Sequence, residues 1–176
     1  MRHGLLTLLT LSLAITAAAQ ERAEHEKTEE GEATKATPAL ATALKEAKVS
    51  LASGLKAAEK EGRPISGKFE LEDGKLQLSV YTMKGDKFSE VIVDHKSGKV
   101  AKSEPITGGD DFTAAGKQAQ AMGKTKSSLR DVITKAEKSN PGYHAVSVVP
   151  EIENGRAQAD VTLLKGTTSK SLDEPL

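Results

Sequence analysis

The residue types best suited to chemistry sit in the run VIVDHKSGKV, Val91 to Val100, where an acid, Asp94, precedes an imidazole, His95, and Ser97-Gly98-Lys99 follows. A carboxylate beside a histidine has the parts of a general acid–base pair. Such a pair needs the two side chains to converge, yet consecutive strand residues project to opposite faces. A turn gives each residue a reason instead: Asp94 accepts backbone N–H groups at the strand's end, Ser97 suits the turn, and Gly98 supplies a left-handed conformation. Other candidates fail on spacing. His25-Glu26 opens an HExxH, but the second histidine position holds Glu29. Gly123-Lys124-Thr125 ends like a phosphate-binding loop, but Gln118 stands where the earlier glycine is needed. His25, His95 and His144 fall in different elements of a chain with no Cys, so no zinc set forms. Ser53-Gly54 and Ser97-Gly98 lack the glycine pattern of a nucleophile elbow. No catalytic, cofactor-binding or metal-ligating residue is assigned, no cofactor is implied, and the chain is expected not to be an enzyme.

Composition narrows the remaining classes. The chain has 176 residues, 37% hydrophobic and only 3% aromatic, so its core must be aliphatic. Basic and acidic residues balance at 25 each, which leaves no long-range field to recruit nucleic acid or an anionic membrane. Residues 1–19 place Arg2 before an apolar stretch, Leu5 to Ile15, and close on small residues at Ala17 and Ala19, the pattern of a secretory signal peptide cleaved after Ala19. That stretch is too short for a stable membrane span, and no later segment reaches the required ~20 residues. The product is expected to be exported, periplasmic or secreted, and without disulfides. Residues 20–37 carry six Glu against Arg22, Lys27 and Lys35 with no large apolar side chain, and read as a disordered acidic tether.

Comparison of the chain with itself reveals a repeat. KVSLASGLKAAEK from Lys48 and KSSLRDVITKAEK from Lys126, 78 positions on, share six of 13 residues, where roughly one identity is expected by chance. EDGKLQLSVYTMKG from Glu72 matches ENGRAQADVTLLKG from Glu153, 81 positions on. The three extra residues fall between the blocks, around Ser139 to Gly142, where a loop absorbs them. Two units are therefore expected, residues 38–106 and 107–176, joined by the Gly-rich run Glu104 to Asp111 and packed together because each of about 60 residues is near the lower limit for a self-sufficient core.

Each unit begins with helical periodicity and changes to strand periodicity. Leu51, Leu55 and Ala58, and again Leu129, Val132, Ile133 and Ala136, recur at spacings of three and four, with Ser50 and Ser128 as N-caps. Gly62 and Asn140, with Pro64 and Pro141 behind them, are expected to stop these helices. Leading helices are expected over Pro38 to Lys48 and around Phe112 to Met122. Then Ile65, Phe69 and Leu71, and Leu76, Leu78 and Val80, alternate with polar residues. Asp73-Gly74 and Asn154-Gly155 between such runs predict tight hairpin turns. A third strand is expected over Phe88 to Asp94. The fold class is α+β: two tandem repeats, each an amphipathic helix packed on a three-stranded antiparallel meander.

A helix opening on KVSL, a meander, and a third strand ending VIVDHKSGKV resemble the PepSY domain, whose signature includes a strand ending Val-Asp, then Ser/Thr-Gly and a basic residue. The first unit carries the pattern over Val49 to Val100. The second follows it through helix and first hairpin, but GTTSKSLDEPL lacks the Asp-to-Gly turn, with Leu172-Asp173 as its nearest echo. The resemblance implies an exported, non-catalytic module of a family proposed to restrain peptidase activity. The expected partner is an extracytoplasmic protein, such as a peptidase, bound by strand addition. The alternative is an envelope structural protein, or one that sequesters a metal or small ligand.

Overall fold

The computed structural model describes residues 37–176, so the expected signal peptide and nearly all of the acidic tether lie outside the described residues. The described residues are α+β, with four α-helices and one seven-stranded antiparallel sheet among them. The helices are α1 (Pro38–Ala43), α2 (Leu51–Ala58), α3 (Gly109–Gly123) and α4 (Leu129–Ser139). The strands are β1 (Arg63–Glu72), β2 (Lys75–Lys84), β3 (Lys87–Val93), β4 (Val100–Ile106), β5 (His144–Glu153), β6 (Arg156–Lys165) and β7 (Thr168–Pro175). Their spatial order is β4-β3-β2-β1-β5-β6-β7. Among the described residues no helix is long and apolar enough to cross a membrane.

The two central hairpins share one geometry. β1 and β2 pair from Arg63 opposite Met83 to Glu72 opposite Lys75, with a bulge between Pro64 and Ser66. β5 and β6 pair from His144 opposite Leu164 to Glu153 opposite Arg156, with a bulge between Ala145 and Ser147, 81 positions after the first. Both tips place two residues at positive φ, Asp73 and Gly74 in one and Asn154 and Gly155 in the other, as a two-residue turn matched to strand twist requires. The hairpins meet along a short seam where Gly67 faces Val148 and Lys68 faces Ser147.

Helices cover the sheet from both sides. Gly54 of α2 lies against Leu78, and Gly67 of β1 lies against Leu55, so α2 packs on the face carrying Gly67, Phe69, Leu78 and Val80. α4 lies beside α2, tied to it by an Arg130–Glu59 ion pair and to the sheet by Glu137, which accepts the Ala145 N–H at 2.9 Å. α3 takes the opposite face. Tyr81 follows Val80 and points away from α2; its hydroxyl donates to Asp111 at 2.6 Å, while the Phe88 ring meets Phe112 edge-on. The buried apolar side chains, from Leu40 to Leu164, form one cluster.

Several expectations need correction. The leading helix is α-helical only to Ala43 and tightens into a 3₁₀ turn, Leu44–Glu46, before Ala47 becomes extended. α2 ends at Ala58, and Gly62 is not its cap; a Cβ there would lie 2.7 Å from the Met83 carbonyl oxygen, so close approach of two backbones requires the glycine. The expected linker is ordered at both ends. Glu104, Pro105 and Ile106 belong to β4, a fourth strand paired with β3, and Gly108-Gly109 open α3. Leu172-Asp173 echo no turn: they lie inside β7, opposite Val161 and Asp160.

Candidate functional site

The turn after β3 takes up the Asp94 carboxylate with the backbone, where it accepts the Ser97 N–H at 2.6 Å and the Lys96 N–H at 3.2 Å. Its bonds to Ser97 hold this carboxyl below the usual range. Gly98, at φ +73, returns the chain so that Asp94 N–H reaches the Lys99 carbonyl. The His95 carbonyl accepts the Lys48 and Val49 N–H groups, which fixes the approach to α2. Ser50 and Ser128 lie at helix starts, each accepting an N–H three residues on, at 3.2 Å, from Ser53 and Asp131. Asp73, Gly74, Asn154 and Gly155 lie at the two hairpin tips. None of these residues converges on a common cleft. Among the described residues no group of three or more His, Asp or Glu side chains is placed to hold a metal ion.

What the structure does bring together lies at the β4 margin. Phe88 faces Ile106 across β3 and β4, and its ring centroid is 5.5 Å from that of Phe112 on α3. Phe112 is 43% exposed, the one large hydrophobic side chain left exposed among the described residues. Next to it the Tyr81–Asp111 bond ties the first turn of α3 to the sheet. Burial first, and then Asp111, push the Tyr81 hydroxyl well above its usual range, so it stays a protonated donor. Beyond this patch, β4 is an edge: β3 takes one side, and among the described residues the other carries no strand. Its middle residues, Ala101 to Pro105, are exposed. An aromatic shelf beside a free strand edge can hold an extended chain, which meets the edge by backbone hydrogen bonds and the shelf with a side chain.

A second concavity, about 500 Å³, opens where α2, the start of β1 and the α3–α4 connection meet. Leu55, Pro64, Met122 and Leu129 contribute its apolar lining, while Arg63, Lys126 and Arg130 bring positive charge against Glu59 alone. On the far side of the sheet, Asp160 of β6 faces Asp173 of β7. Burial, then Asp173 and Glu151, raise its carboxyl to about 6.

Neither the β4 shelf nor the concavity has a signal in local periodicity, because each joins side chains from elements distant in sequence. The scarcity of aromatic residues is the sole pointer: two of three phenylalanines meet at the shelf. No family model matches the chain, and no curated protein or solved structure matches it either.

Proposed function

We propose that this chain is an exported, non-catalytic, PepSY-type binding module that takes an extended segment of an extracytoplasmic protein, such as a peptidase, onto the open edge of β4. The observation that carries this reading is the exposed Phe112 packed on Phe88 beside β4, whose outer edge pairs with no described strand. Edge N–H and C=O groups are best matched by another extended backbone, and an apolar side chain of that segment would cover the shelf. In this reading the sheet grew from two tandem helix-and-meander units. The 81-residue spacing shared by the two hairpins and their bulges supports that origin. Lys102 and Glu104 pair at 2.7 Å on the edge and Pro105 interrupts its donors, which limits promiscuous pairing and favours a selected partner.

The test is amide hydrogen exchange on the chain mixed with an exported metallopeptidase and, separately, with its propeptide-like extended peptides. New protection across Val100–Ile106 with slowed peptidase turnover is the expected result. Unchanged exchange on β4 with unchanged turnover overturns the reading. A second reading, sequestration of a small ligand in the envelope, draws its support from the concavity beside α2.

A further inference from the structure

We infer that the concavity between α2, β1 and the α3–α4 connection is a binding site for an organic oxyanion carrying at least two negative charges. This does not depend on the β4 edge, which is formed by different elements.

The argument starts from charge. Three cationic side chains, Arg63, Lys126 and Arg130, line the opening, and Glu59 is the one carboxylate among the lining residues. Glu59 is engaged with Arg130 at 3.2 Å, yet the Arg130 Nε finds no well-directed hydrogen bond and is shielded from solvent. Lys126 forms no ion pair with a described residue. One terminal nitrogen of Arg63 donates to the Met122 and Thr125 carbonyls, at 3.0 and 3.4 Å. That fixes the guanidinium at the rim while the rest of its five N–H donors take no described partner. The lining residues therefore carry two net positive charges, with Asp131 turned to the Ser128 hydroxyl behind them.

Geometry then selects the ligand class. A guanidinium held by two carbonyls is pre-organised, so less entropy is lost when its free donors grip a carboxylate or phosphate in the planar, two-pronged manner arginine favours. Leu55, Met122 and Leu129 pack almost wholly buried at the floor, and Pro64 is part-exposed. This apolar packing lowers the local dielectric and strengthens attraction to an anion. Pro64 also leaves carbon surface for the skeleton of an organic ligand to cover. A volume of about 500 Å³ suits a small organic anion and is much larger than an inorganic ion needs. The Ser127 hydroxyl adds a polar group at the mouth, whereas that of Ser128 is held by Asp131.

Calorimetric titration of the full chain with citrate, with pyrophosphate and with acetate tests the site; citrate and pyrophosphate separate a carboxylate from a phosphate ligand, and acetate controls for charge. Saturable binding of citrate or pyrophosphate, roughly millimolar or tighter, is expected, with acetate much weaker. Lys126→Gln and Arg130→Gln should each weaken binding about tenfold, the loss of one well-placed charge contact. Glu59→Gln should tighten it several-fold by removing the competing carboxylate, a gain that a merely structural role would not produce. Circular dichroism confirms that each variant is folded. Absence of saturable binding by citrate and pyrophosphate overturns the site, as does binding that all three variants leave unchanged.

Discussion

Gly54 of α2 sits directly over Leu78 of β2, so close that a Cβ built on the glycine would lie 2.4 Å from a Leu78 methyl carbon. Leu78 is completely buried and has no room to withdraw. Alanine at position 54 would gain about 1 kcal/mol of helix propensity, but separating helix from sheet costs about 1–3 kcal/mol. Gly54→Ala should thus lower stability by up to about 2 kcal/mol, read as a lower urea midpoint; a stabilised variant would show that Leu78 yields to the added methyl group.

Asp160 makes stability depend on pH with a definite sign. Its carboxyl is raised from 3.8 to about 6, so the fold holds the proton more tightly than the unfolded chain. The contribution is most favourable below 3.8, is lost as pH climbs toward 6, and is constant above that. Asp160→Asn mimics the protonated form. It should raise the melting temperature at pH 7 to 8 by about 3 °C, for a gain of about 1 kcal/mol once solvent screening of this partly exposed group is discounted. The difference between variant and wild type should vanish on acidification. Carboxylates held low, such as Asp94, act in the opposite sense and cancel in that difference. A melting difference independent of pH would show that neither burial nor the neighbouring Asp173 and Glu151 penalises ionisation of Asp160.

Phe112 is the substitution that separates binding from folding at the β4 shelf. Half-exposed, it lies outside the buried core but helps to seat α3 through its edge-on contact with Phe88. Phe112→Ser should lower stability by about 1 kcal/mol, a loss the fold survives, while weakening capture of a peptidase or extended peptide about tenfold or more, as expected for an aromatic anchor. Binding measured by surface-immobilised chain checks this, and undiminished capture would relocate the contact.

Residues 37–106 taken alone should be much less stable than the whole. Removing the remainder strips α3 from one face, α4 from the side of α2, and β5 from β1, exposing Leu55 and Tyr81 that are buried in the full chain. Thermal melting of the fragment should show a lower or absent cooperative transition. Equal melting temperatures would mean that the two halves hold separate cores.

The switch from helical to alternating periodicity made the α+β class legible, because apolar side chains mark which face of each element is covered. β4 escaped that logic. With Val100 and Ile106 apolar only at its ends, and Lys102 and Glu104 between them, both faces meet solvent and no alternation is imposed. For α3 the obstacle was different: helical spacing marks a buried stripe but cannot say on which side of a sheet it will lie. Seating α3 opposite α2 depends on Tyr81, Asp111, Phe88 and Phe112, which belong to three elements. The cationic concavity likewise draws Leu55 and Arg130 together across a long stretch of chain. Spacing rules have no reach there.

The seam between β1 and β5 holds two register pairs, whereas each flanking hairpin holds nine. Mechanically this makes the sheet a hinged plate with a perforated line down its middle. Under tension it should tear first between Gly67 and Val148, while each hairpin stays zipped. Arg63, gripping the carbonyls of Met122 and Thr125, rivets β1 to the end of α3 and its connection to α4.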